Sequence, residues 1–263
     1  MYKRPGSIFS GLLAVALAIV SSVPALAQQP DAENDLKSQA DKNQKVHSRI
    51  FQSSAIGTIP DLLAKTTGDI TLTNGGDLEG SAPMEDPNEP PYPPVALVDL
   101  ACYADAVVVA APVAGVSHMT SDKGAIYSDW TMHVEEVLRD TPKAPIGGSE
   151  TITVVRAGGK LVIDGRTVVV KAARFPEFEP GVNKYLLFLT YIPQTGAFRA
   201  RTQSTFNLVL DKESAKRPHP YADPPSFARL LPSASPEELL TDARAAITYA
   251  AGIPYCATSR GDR

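Results

Sequence analysis

This amino-acid sequence predicts a mostly β fold: a small Greek-key barrel at residues 95–210, one helix packed on it near the C-terminus, and a disordered region ahead of it. Three observations carry the prediction. Between Cys102 and about Leu210, short runs of β-branched and aromatic residues alternate with glycine turns, which is the punctuation of strands. Tyr185 to Leu189, continued by Thr190 and Tyr191, is too short for a typical helix and apolar enough for an interior strand. Asp164-Gly165 separates two β-type runs and supplies the favoured centre of a tight hairpin.

Taken in order, residues 1–27 read as an export signal. Lys3 and Arg4 precede an apolar stretch from Ile8 to Val20, and Ala25-Leu26-Ala27 supplies the small-residue cleavage pattern. The apolar stretch is shorter than the roughly 20 residues of a spanning helix, so no stable membrane span is expected after cleavage. Residues 28–94 read as a flexible, proline-rich tether. Its first part, Gln28 to Val46, is polar and free of aromatics, and Glu79 to Pro94 holds six prolines and four acidic residues. Proline fixes φ and biases its neighbour towards extended backbone, so this end of the tether should be extended. Within it, Ile70 and Leu72 alternate weakly before Asn74-Gly75-Gly76, a candidate isolated strand and turn.

The β domain starts with a short helix or cover at Val95 to Cys102 and a strand at Ala104 to Ala111. Ser117 to Gly124 has the composition of a surface loop. The long strand is Ile126 to Leu138, where Trp130, Met132 and Val134 alternate with Asp129, Thr131, His133 and Glu135; this assigns the second set to solvent. Its phase slips at Val137-Leu138, which predicts a bulge or bend. Further strands are expected at Thr151 to Val155, Leu161 to Ile163, Thr167 to Lys171, Tyr185 to Tyr191 and Phe198 to Leu210, with a loop from Phe175 to Gly181.

Residues 211–263 read as a linker followed by the C-terminal helix. Ser235 caps it, Pro236 fits its first position and Glu238 completes a capping box. Leu240, Ala243, Ile247 and Ala250 form a shallow apolar stripe, and Gly252 with Pro254 ends the helix. The sequence has two cysteines, Cys102 and Cys256, and in an oxidising compartment an even count allows one bridge between the start of the β region and the far C-terminus.

Charge and motif spacing narrow the functions. Removing the signal leaves 23 Lys and Arg against 29 Asp and Glu, a balance that gives no long-range attraction for nucleic acid. His47, His118, His133 and His219 have no short-spaced partner, so no metal site is expected, and no cofactor motif is present. The glycine pairs Gly147-Gly148 and Gly158-Gly159 lack the lysine and hydroxyl residues of a phosphate loop. No Gly-x-Ser-x-Gly nucleophile turn occurs, and Asp129 and Asp164 read as solvent-facing and turn residues rather than a catalytic pair.

The phrase Leu100-Ala101-Cys102-Tyr103-Ala104-Asp105-Ala106-Val107-Val108-Val109, followed by Tyr127 to Leu138 and Gly181 to Leu189, resembles uncharacterised exported bacterial domains. It is also loosely similar to the netrin and tissue-metalloprotease-inhibitor group, in which a cysteine lies just before a strand opening with an ADxVV-like phrase. The resemblance spans residues 100–209 and implies an OB-like barrel. Metalloprotease inhibition is not carried over, because that branch begins its mature chain with a cysteine and this one would begin with Gln28. The resulting expectation is an exported, non-enzymatic domain, periplasmic or extracellular, binding an envelope or extracellular protein or glycan. Lys171, Phe175, Phe178, Arg199 and Arg201 form the candidate binding surface. The alternative is a secreted hydrolase with its site near His118 and His133.

Overall fold

The computed structural model describes residues 30–52, 57–74, 97–147, 150–172, 177–208, 235–254 and 256. The expected signal at 1–27, the proline-rich segment at 79–94, Phe175, His219 and the linker after Leu208 lie outside the described residues. Four helices and eight strands follow one another as α1 (Pro30–Ile50), α2 (Ile59–Lys65), β1 (Ile70–Asn74), α3 (Leu97–Tyr103), β2 (Ala106–Met119), β3 (Ile126–Arg139), β4 (Thr151–Ala157), β5 (Gly159–Ile163), β6 (Arg166–Ala172), β7 (Tyr185–Ile192), β8 (Ala197–Asn207) and α4 (Pro236–Ala251).

The strands form two sheets. In the larger, neighbours run β4, β3, β2, β7, β8, and β8 returns to β4 through a parallel seam of two residue pairs, Val154 with Phe198 and Val155 with Arg199. In the smaller, β6 lies between β1 and β5, parallel to β1 and antiparallel to β5. Both sheets are therefore mixed. β2 is the spine of the larger sheet, since Val107 to Ala110 pair with β3 on one edge and β7 on the other and are buried. Its pairing with β3 skips at Leu138 and at Glu135, so the slip in alternation there does mark bulges. A further shift at Val113 follows Pro112, a residue that cannot donate to a ladder.

This architecture corrects the expectation of a lone OB-like Greek-key barrel carrying one terminal helix behind a disordered segment. A second, three-stranded sheet stands beside the larger one, and its β1 comes from the segment read as tether. Among the described residues four helices are spread along the chain, and residues 30–50, read as polar tether, are the longest of them. Leu36, Ala40, His47 and Phe51 recur at helical spacing and are all buried, with Phe51 in the main core against Tyr127. Sparse apolar residues sufficed because they fall on one stripe.

The C-terminal part follows local chemistry closely. Ser235 accepts from the Glu238 backbone and Glu238 returns a carboxylate to the Ser235 N–H, the reciprocal capping box. The helix buries Leu239, Ala243, Ala246 and Ala250, with Leu240 and Ile247 partly covered, so the buried stripe is rotated slightly from the expected one. It packs on α3, and Cys102 and Cys256 are joined by a disulfide across 154 residues of sequence. No helix among the described residues is long and apolar enough to cross a membrane.

Candidate functional site

Three ionisable side chains from distant segments meet where α1 crosses β2 and β3. His47 is on α1, one turn before Phe51, which directly follows the helix, and both are buried. Asp129 is on β3 and His118 on β2, in adjacent register, with Val116 opposite Asp129 and His118 opposite Tyr127. Ser48, also on α1, accepts from the Ser121 backbone N–H at 2.6 Å and donates to the Ser121 hydroxyl at 3.0 Å, so the β2–β3 turn is tied to the helix end. Tyr127 is sandwiched: the Phe51 ring stacks on it at 5.5 Å and the His118 ring at 5.5 Å.

Asp129 and His47 have no exposed surface. His47 Nδ1 is 2.9 Å from Asp129 Oδ1, and its Nε2 is 2.9 Å from Thr195 Oγ1. Where Asp129 is a carboxylate it can only accept, so Nδ1 donates to it; in the neutral imidazole Nε2 then accepts the Thr195 hydroxyl proton, and in the imidazolium Nε2 donates to Thr195 Oγ1. Carboxylate, imidazole and hydroxyl thus lie in one hydrogen-bonded line. Thr195 is half-buried in the turn between β7 and β8, where Gly196 takes a φ of +73° that favours glycine. The N–H groups of Thr195 and Gly196 both donate to the Ile192 carbonyl, and the Ala197 N–H donates to Thr195 Oγ1 at 3.4 Å, so the turn fixes the position of the hydroxyl.

His118 completes the cluster without joining the line. Its Nε2 stands 3.8 Å from Asp129 Oδ2, too far for a hydrogen bond, and neither atom has another partner among the described residues. Burial lowers the His118 pKa, more than the nearby carboxylates of Asp129 and Asp41 raise it, with His47 and Lys37 adding to the lowering. The imidazole is therefore neutral at pH 7 and the contact is not an ion pair there. Burial also pushes the Tyr127 hydroxyl well above its usual range, reinforced by Asp129 and Asp41.

The sequence reading paired the wrong histidines. His133 sits opposite Ala111 on β2, seven residues from His118, or about 23 Å at strand rise. It is exposed, so the expected His118–His133 site does not assemble. Asp129, read as solvent-facing, is buried because α1 covers that end of the face whose other end leaves His133 and Glu135 in solvent. His118, read as a loop residue, is near the end of β2. The signal that could have found His47 was present: it shares the helical stripe of Leu36, Ala40 and Phe51.

The expected binding surface is also redistributed. Lys171 and Phe178 line a cavity of about 890 Å³ between the two sheets, together with Trp130, Arg156 and Lys160. Arg199 is instead buried with its guanidinium 5.3 Å from the Phe51 ring centre, and Arg201 is half-buried beside Ser204 and Thr205. Phe175 lies outside the described residues. Among the described residues no group of three or more His, Cys, Asp or Glu is placed to hold a metal ion.

No protein-family model matches the chain. No curated protein matches it either. The resemblance to the netrin and tissue-metalloprotease-inhibitor group therefore has no support from relatives, and the phrase around Cys102 is accounted for locally. Cys102 is bridged, and Asp105 Oδ2 accepts from the Tyr191 N–H at 2.9 Å, a strand-edge contact.

Proposed function

We propose that the chain is an exported hydrolytic enzyme in which His47 is the acid–base group, Asp129 orients it, and Thr195 supplies the hydroxyl it addresses. One observation carries the reading: a buried imidazole held from both sides, at 2.9 Å to a carboxylate and 2.9 Å to a hydroxyl that reaches the surface turn. Nucleophilic hydrolysis needs a hydroxyl with a base in hydrogen-bond reach and a third group fixing the base's tautomer. In the reaction, Thr195 Oγ1 would attack an acyl carbon as its proton passes to His47 Nε2 and on to the leaving group; water, giving a proton to His47 Nε2, would then cleave the acyl-Thr195 ester, and that proton would return to Thr195 Oγ1. Export rests on the order of Lys3, Arg4, the apolar stretch and Ala25-Leu26-Ala27.

A second reading, an exported binding domain in which the cluster only pins α1 to the sheet, is favoured by the complete burial of His47 and Asp129. Hydrolysis of p-nitrophenyl acetate and butyrate separates the two. On the enzymatic reading the purified chain turns over an ester above buffer, and Thr195→Val removes that activity by about 100-fold or more while circular dichroism is unchanged. Absence of turnover, or equal rates in parent and Thr195→Val, sinks it.

A further inference from the structure

The cavity between the sheets lies on the other side of β2 and β3 from the His47 cluster. Register places Ser117 opposite Ser128 and Gly115 opposite Trp130, one step out of phase with His118, Tyr127 and Asp129, so these four face the cavity and not α1. Its construction is specific. Ser117 and Ser128 join their hydroxyls at 3.1 Å; Ser128 Oγ donates to the Gly158 carbonyl at 2.6 Å, and the Lys160 N–H donates to Ser117 Oγ at 3.1 Å. These bonds fix the β4–β5 bend as the cavity floor. Gly158 makes the bend at φ +87°, where an added Cβ would lie 2.7 Å from the Val170 carbonyl oxygen. Gly115 lets the Trp130 indole lie flat on the strand, since a Cβ there would fall 2.6 Å from the ring.

Two aromatic side chains and three cations line this space. Trp130 meets Phe178 edge to face at 5.5 Å, and the Arg156 guanidinium lies 4.8 Å from the Phe178 ring centre. Lys160 and Lys171 add two ammonium groups, and Glu177, 2.9 Å from Lys171, is the one carboxylate among the lining residues. The positive excess is local, in a chain whose formal charge is −4. Trp130 Nε1–H is shielded from solvent and has no acceptor among the described residues. A buried donor without an acceptor is uncommon enough to require a partner.

We infer that this cavity binds a small organic oxyanion with a planar apolar body, the anion held by Lys160, Lys171 and Arg156 and the ring laid against Trp130 and Phe178. A volume of about 890 Å³ fits the usual range of such sites, about 300–1,000 Å³. Aromatic walls select the body, cations select the charge, and an anionic oxygen supplies an acceptor for the indole donor.

Trp130 is the only tryptophan, so its fluorescence and its indole N–H resonance report this cavity alone. The probes are benzoate and phenyl phosphate as the two oxyanion sources, benzyl alcohol as the neutral ring, and inorganic phosphate as charge without a ring. With the purified disulfide-bonded chain, benzoate or phenyl phosphate should shift the indole resonance saturably. Lys160→Gln combined with Lys171→Gln should weaken that binding about tenfold or more with the far-ultraviolet dichroism unchanged. Thr195→Val, on the opposite side of the sheet, should bind as the parent does. An indole resonance unmoved by either anion, benzyl alcohol or inorganic phosphate binding as tightly as phenyl phosphate, or a double variant that binds like the parent would each overturn the inference.

Discussion

His47 and Asp129 are 82 residues apart in sequence, 2.9 Å apart in space, and wholly buried. A fully buried hydrogen-bonded pair in that setting is costly to half-dismantle, because removing one partner leaves the other without its hydrogen bond and away from water. His47→Leu should therefore destabilise the protein by about 3–5 kcal/mol in urea unfolding. Adding Asp129→Leu should cost less than the two single changes together, with a coupling of about 0.5–3 kcal/mol. Additive losses would show that the two side chains stabilise the fold independently.

Phe51 tests whether residues 30–52 belong to the core. It is fully buried and stacked 5.5 Å from Tyr127 at an interplanar angle of 11°. Phe51→Ala should lower stability by about 3–5 kcal/mol, the range for emptying an aromatic site. A loss below about 0.5 kcal/mol is what a surface tether would give.

The neutral state of His118 gives stability a pH dependence of definite sign. Its folded pKa is lowered, chiefly by burial, so the unfolded chain takes up the proton first as pH falls. The stabilisation is complete above the unfolded value, near 6.5, and is lost as pH falls from there towards the lowered folded value. Thermal melts between pH 8 and pH 5 should show a declining midpoint that is flatter in His118→Phe, a range set by the ordinary histidine pKa of about 6.5. Identical slopes in parent and variant would assign the decline to other groups.

The disulfide and the helix it holds can be separated by exchange. α4 buries three alanines and one leucine, a small apolar area, while Cys256 fixes its far end to Cys102 on α3. Cys256→Ser should cost about 2–5 kcal/mol. Hydrogen exchange of residues 237–250 should quicken more than that of β2 and β7. Equal protection of α4 in the variant would mean that packing on α3 alone holds the helix.

What could be read from the chain was local. The capping box at Ser235 and Glu238, the Asp164-Gly165 turn with Asp164 at φ +51°, and the strands at Ile126 to Arg139 and Tyr185 to Ile192 are all set by neighbours within a few residues. The bulges near Glu135 and Leu138 follow from a break in alternation visible in the residues themselves. The cysteine pairing was legible because only two cysteines occur.

The site was not legible, for a physical reason that Asp129 and His133 illustrate. They lie on one side of one strand, separated by two turns of the pleat, and alternation assigns them the same environment. One is fully buried and the other exposed, because α1 covers the strand's near end and stops short of the other. Whether a polar face meets solvent depends on what packs over it, and here the cover comes from a segment whose few apolar residues suggested a tether. By itself the sequence determined caps, turns, strand phases and the disulfide, which are short-range or forced by count. Only the tertiary structure decided the second sheet, the seam between β4 and β8, and the meeting of His47, Asp129 and Thr195, because each depends on contacts between segments that place no pattern on one another's sequence.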